Sequence, residues 1–239
     1  MNAALNEGEG PLRILIGAGM LGLAISLVGP AMDQARGDED GGYSEAQILL
    51  FRTPHLDGVD RPATLDYEYR REQKGGDGFV DSVALTVTDV AADGAKDISV
   101  RFLTGPRNKP YSDFSDFRGN PLLMVFLEDD VRRMVEKFGG GNIYMRNKIR
   151  AAFYDGATTE PVSFQLDGRS VAGTKVTVTP FVGGKYRERM GEYEHKVYEF
   201  VVSAEVPGGI YQMHSYVPSS TMADKPLIED TLTYRGGEL

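Results

Sequence analysis

The stretch from Asn120 to Gly139 carries a helix with both ends written into it, and the segments around it mostly alternate between apolar and polar residues. Asn120 is a good N-cap. Pro121 gives up an amide that would have no partner at a first helical position, and Gly139 can take the left-handed conformation that ends a helix. Leu123, Leu127, Val131, Met134 and Phe138 recur at helical spacing and form one apolar stripe, which predicts burial of that face. Glu128 with Arg132 and Asp129 with Arg133 are acid-first pairs four apart, each contributing roughly 0.2–0.5 kcal/mol on an exposed face. The acidic triplet Glu128-Asp129-Asp130 is therefore expected on the solvated side, in preference to a metal-binding or acid–base role. Leu122, Met124, Val125 and Phe126 widen the apolar surface of the first two turns and predict cover on more than one side.

The flanking segments set the fold class. Ser44 caps a short helix to about Arg52, with Ala46, Leu49 and Leu50 inward. Leu65, Tyr67 and Tyr69 alternate with Asp66, Glu68 and Arg70. Val83, Leu85 and Val87 follow on a second strand, and Ile98, Val100 and Phe102 on a third after the Asp93-Gly94 turn. Downstream, Val162 to Leu166, Thr174 to Pro180, His195 to Ser203, Ile210 to Val217 and a last strand from Pro226 are joined by turns such as Asp167-Gly168 and Val206-Pro207-Gly208-Gly209. Asn142 to Phe153 also alternates and is predicted as a strand, with a second amphipathic helix as the alternative. The expected fold is α+β and mainly antiparallel β: one curved sheet or partial barrel of about eight or nine strands, with the helix at about 120–138 on its concave face.

Composition narrows what such a sheet can do. The 239-residue chain has no cysteine, which excludes disulfides, a thiolate nucleophile and a cysteine metal cage. Its formal charge of −9 argues against a nucleic-acid partner, because phosphate neutralisation needs a basic surface. Ile14 to Val28 is an uncharged, mostly apolar run after Arg13, and Gly29-Pro30-Ala31 offers a small-x-small cleavage site. Residues 1–31 are thus expected to be a signal peptide or an N-terminal anchor, residues 32–43 a flexible acidic and glycine-rich linker, and residues 44–239 a single β-rich domain. The expected location is exported, periplasmic or anchored facing the periplasm, with membrane contact only through residues 14–28 if uncleaved. Asp38-Glu39-Asp40-Gly41 fails as a calcium loop, since Leu49 stands where the twelfth-position glutamate belongs.

No catalytic motif emerges. The chain has no G-x-S-x-G, no H-E-x-x-H and no glycine-rich phosphate loop, and Gly139-Gly140-Gly141 follows a helix instead of preceding one. His195 and His214 could meet across a hairpin but lack metal-ligand spacing, and no cofactor is expected. The predicted order of elements, a short helix, a meander, a mid-chain helix and further hairpins behind an export signal, is similar to the half-barrel of periplasmic lipoprotein carriers. That likeness is one of architecture and transfers no residue. It implies that a curved sheet lidded by an apolar helix can hold a lipid-like molecule. Three functions remain: an exported carrier of an apolar ligand between sheet and helix, a structural or assembly partner in the cell envelope, and a hydrolase of unrecognised type. The candidate lining comprises Leu123, Leu127 and Phe102, with Tyr111, Phe114 and Phe117 of the long loop Gly105–Gly119 as a lid or ligand mouth. The candidate partner surface is Tyr144, Arg146, Lys148 and Arg150, which would share a face on a strand.

Overall fold

A computed structural model describes residues 42–221 and 225–239. The predicted signal or anchor at 1–31 and nearly all of the predicted linker at 32–43 lie outside the described residues. Alternating side chains and glycine turns produce a meander of three strands, β1 (Ala63–Gln73), β2 (Phe79–Val90) and β3 (Lys96–Phe102). Two short pieces, β4 (Lys109–Pro110) and β5 (Phe114–Phe117), lie along the outer edge of β3. The second half supplies β6 (Thr158–Leu166), β7 (Arg169–Val178), β8 (Val197–Val202), β9 (Ile210–Val217) and β10 (Ile228–Glu238).

All pair antiparallel in one open curved sheet, in the order β4-β3-β2-β1-β10-β9-β8-β7-β6, with β5 beside β3. The last strand returns to the first, so β1 and β10 form the middle of the sheet and join its two meanders. The described residues hold ten strands where the sequence predicted eight or nine. Two come from the loop at 105–119, whose backbone groups pair with the free edge of β3, and the strand predicted at 142–153 is absent.

That segment is the helix α3 (Asn142–Asp155), which follows α2 (Leu122–Phe138) after the three glycines. Alternation would turn Ile143 inward, yet Ile143 is 72% exposed; the buried residues are Met145, Ile149 and Phe153, spaced four apart. Period four satisfies the backbone internally and still buries three large side chains, so the helical alternative prevails.

α2 starts as its sequence predicts. The Asn120 side-chain oxygen accepts from the Leu122 amide at 3.0 Å, and its Nδ2 donates to the Gly208 carbonyl at 2.8 Å. The second bond pins the start of α2 to the β8–β9 turn. Gly208 has φ +79°, and a Cβ there would come 2.6 Å from a Leu65 methyl, so only glycine serves. At the N-terminal end, α1 (Glu45–Gln47) opens on a complete Ser44–Gln47 capping box and continues as a wider five-residue turn, Ile48–Arg52. The Ser44 hydroxyl donates to the Phe153 carbonyl at 2.5 Å, which ties this turn to the end of α3. Between β7 and β8 lies a short helix, α4 (Arg187–Met190), followed by a 3-10 turn, Gly191–His195.

Candidate functional site

α2 has two working faces. Toward the sheet, the helix does not present only the apolar stripe of its sequence. Asp129 and Asp130 are 1% and 2% exposed, which overturns the solvated acidic triplet expected above. The bonds explain the difference. Asp130 accepts from Lys196 Nζ at 2.8 Å and from the Tyr198 hydroxyl at 2.5 Å, both on or beside β8. Arg133 reaches Asp130 at 3.0 Å and Asp230 of β10 at 2.9 Å, and it also pairs with Asp129 one turn earlier. Arg71 of β1 grips Asp230 with two bonds, at 2.7 and 3.0 Å, and Tyr69 donates to the same carboxylate at 2.6 Å. Lys109 of β4 closes the cluster on Asp129.

Burial raises the Asp230 carboxyl, but the Arg133 and Arg71 guanidiniums outweigh it and hold its pKa down at about 2. Burial and the Asp130 carboxylate push the Tyr198 phenol well above its usual range. Each buried charge therefore has a partner, the condition under which charges are tolerated inside a protein. The network fills the space between helix and sheet where the sequence had placed an apolar ligand.

The other face of α2 borders a hollow of about 630 Å³, within the roughly 300–1,000 Å³ range of small-molecule sites. Its floor comes from α2 and α3, through Val125, Leu127, Val131, Ile149 and Phe153. One wall is the start of the described chain, Tyr43, Gln47, Phe51 and Arg52, where Phe51 meets Phe153 edge-on at 5.1 Å. The opposite wall is the edge segment with Tyr111 and Phe114, and Met124 stands at the mouth, 42% exposed. The rim is cationic. Arg52, Arg132, Arg146 and Arg150 face one carboxylate, Glu128, which Arg146 holds bidentately at 2.9 and 2.6 Å. The lining contains no histidine, serine, threonine or aspartate; its acid–base groups are Glu128, which Arg146 engages, and the phenols of Tyr43 and Tyr111.

The predicted lining residues divide. Leu127, Tyr111 and Phe114 border the hollow; Leu123 and Phe102 are buried in the core, and Phe117 does not border the hollow and packs on Phe114 at 5.5 Å. The predicted basic surface splits because α3 is a helix. Arg146 and Arg150 turn to the hollow, whereas Tyr144 and Lys148 turn toward Gly184, with Tyr144 edge-on to Tyr186 at 4.7 Å. Sequence reasoning missed Tyr43, Phe51, Arg52 and Met124. Phe51-Arg52 at the end of a capped turn was the available signal; Tyr43 lay in a segment predicted as linker.

The histidines lie elsewhere. His214 does not meet His195: its Nδ1 and Nε2 are held by Glu199 at 3.1 Å and Glu229 at 2.7 Å on the outer face of the sheet. Burial lowers its pKa, but the two carboxylates prevail and the net shift is upward. His55 borders a second hollow beside the β8–β9 turn. The Leu49 carbonyl, 2.8 Å from its Nε2, can only accept, so that nitrogen carries the proton; burial keeps the ring neutral by lowering its pKa.

Fold and hollow together define an open antiparallel sheet roofed by helices, with a largely apolar hollow of about 630 Å³ on the far side of the central helix. No protein-family model and no curated protein matches the chain. Two solved structures follow a related course. The lipoprotein LppX of Mycobacterium tuberculosis is 11% identical at TM-score 0.35, with 82% of this chain and 97% of that one covered. A LolA superfamily protein from Nitrosomonas europaea is 10% identical at TM-score 0.23, with 81% and 93% covered. At these values the two likenesses say nothing of what this chain binds.

Proposed function

We propose that the chain is an exported, non-catalytic carrier or binding protein for an apolar, lipid-like molecule. The supporting observation is the hollow: about 630 Å³, floored by aliphatic and aromatic side chains of α2 and α3, with charge confined to its rim. The ligand lies between the helices and the aromatic edge segment, on the side of α2 away from the sheet. Export rests on the sequence alone, on Arg13, the run Ile14–Val28 and the Gly29-Pro30-Ala31 site.

The test is native mass spectrometry of the protein purified from its own envelope fraction. A mass short by residues 1–31 with a small apolar adduct is the expected outcome. Full-length, ligand-free protein bound to another chain would replace this function with a second one, an assembly partner in the cell envelope. That second function draws on Tyr43, Phe51 and Met124, which border the hollow yet are 40–42% exposed, as side chains at a protein interface are before the partner arrives.

A further inference from the structure

We infer that the occupant of the hollow is an anionic amphiphile, a single acyl chain carrying a carboxylate or phosphate head group. This deepens the binding function proposed above and rests on it. The first observation is charge. The chain is formally −9, yet four arginines and a single glutamate border this one hollow. Glu128 is already engaged by Arg146, and lies 3.8 Å from Arg132. Arg52 and Arg150 have no carboxylate partner among the described residues. They enter the same rim: Phe51, next to Arg52, meets Phe153, one turn beyond Arg150. Arg52 is further oriented by the Tyr43 ring, 4.9 Å from its guanidinium carbon.

The second observation is the floor, where Val125, Leu127, Val131 and Ile149 offer hydrocarbon and no polar group. The unpaired guanidiniums ask for anionic oxygen, while the floor asks for hydrocarbon. Guanidinium binds carboxylate and phosphate alike through its forked donors, so the site accepts either head group.

The experiment uses the full-length protein stripped of bound lipid. Displacement of a fluorescent apolar probe is titrated with hexadecanoate, the sixteen-carbon lysophosphatidate and hexadecanol, each below its aggregation limit. Both anions are expected to bind about tenfold more tightly than the alcohol, with the preference shrinking at high salt. Whichever anion binds more tightly assigns the head group. Affinity is expected to rise about fourfold per added methylene until the hollow is full. In the double variant Arg52→Gln/Arg150→Gln, the ratio of anion to alcohol affinity should fall to near one. Arg169→Gln, which removes an exposed pair with Glu205 on another part of the surface, should leave the ratio unchanged.

Equal affinity of hexadecanol and hexadecanoate for the wild-type protein would overturn this inference while leaving the apolar hollow as a binding site. Failure of all three compounds to displace the probe would instead sink the binding function itself. Both arginines are exposed, so a circular dichroism spectrum is expected to show the double variant folded.

Discussion

The two sides of α2 depart from simple amphipathicity in opposite ways. Its sheet-facing side, apolar at Leu122, Leu123, Phe126 and Met134, also carries Asp129, Asp130 and Arg133 into a network of charges. Its outward side keeps apolar side chains, Leu127 and Met124, at the border of an open hollow. The difference teaches that burial and polarity are separable: charge is tolerated inside where every member is bonded, and hydrocarbon is left outside where something is to cover it. The inner face is closed to a ligand because its partners are all internal. The outer face is incomplete, with Arg52 and Arg150 lacking a carboxylate partner among the described residues.

The largest test of that contrast is Asp130→Ala. It strips the carboxylate from Lys196, itself 2% exposed, and from the Tyr198 hydroxyl. Leaving a buried cation unpaired should cost about 3–5 kcal/mol, read from urea unfolding. A loss below about 1 kcal/mol would mean that the network is solvated and the two faces are alike. The paired change Asp130→Leu/Lys196→Met should recover part of the loss, because removing both charges abolishes the desolvation penalty.

A pH titration probes the same face more gently. The Asp230 carboxyl is held at about 2 against an ordinary 3.8. A lowered acid pKa stabilises the fold above the ordinary value and loses that contribution as pH falls through the folded one. Between about pH 4 and pH 2 the protein should therefore lose roughly 2 kcal/mol, a slope that Asp230→Asn removes.

The outer face should respond in the opposite currency. Met124→Ala touches a half-exposed side chain, so stability should change by no more than about 0.5 kcal/mol. Affinity for an apolar probe should nevertheless drop roughly fivefold, the loss of about 1 kcal/mol of contact. Equal effects on stability and binding would erase the distinction between the two faces.

Much of the scaffold was legible because it is local. The N-cap at Asn120, the glycine stop at Gly139, the capping box at Ser44 and the Asp93-Gly94 turn each act over a few residues, and the meanders follow from them. The inner network was written less openly, yet a signal existed. Arg71 continues the inward phase of Leu65, Tyr67 and Tyr69; Lys196 precedes Tyr198 and Phe200 on theirs; Asp230 stands between Ile228 and Leu232. A charge on the core phase of a strand demands a partner, and three on one sheet facing an acidic helix predict a cluster. The outer hollow was not legible in this way. It needs α3 as a helix, and the residues 142–153 fit periods of two and of four about equally well until Ile143 is known to be outside. It also joins three segments distant in sequence, which no local pattern links.

The outer face of the sheet offers the smallest test, charges paired in partial contact with water. His214 sits between Glu199 and Glu229, stacked on Tyr216 at 4.8 Å. Its pKa is raised in the fold, so its contribution is fully present below the ordinary value of about 6.5 and fades as pH rises through the folded value. His55 runs the other way: its pKa is lowered by burial, so its penalty develops as pH falls below about 6.5. His214→Gln should flatten the stability profile on the alkaline side by less than about 1 kcal/mol, and His55→Gln should flatten it on the acidic side. If His214→Gln instead cost as much as Asp130→Ala, partial exposure would not weaken a charge cluster here, and the contrast between paired charges inside and outside the fold would fail.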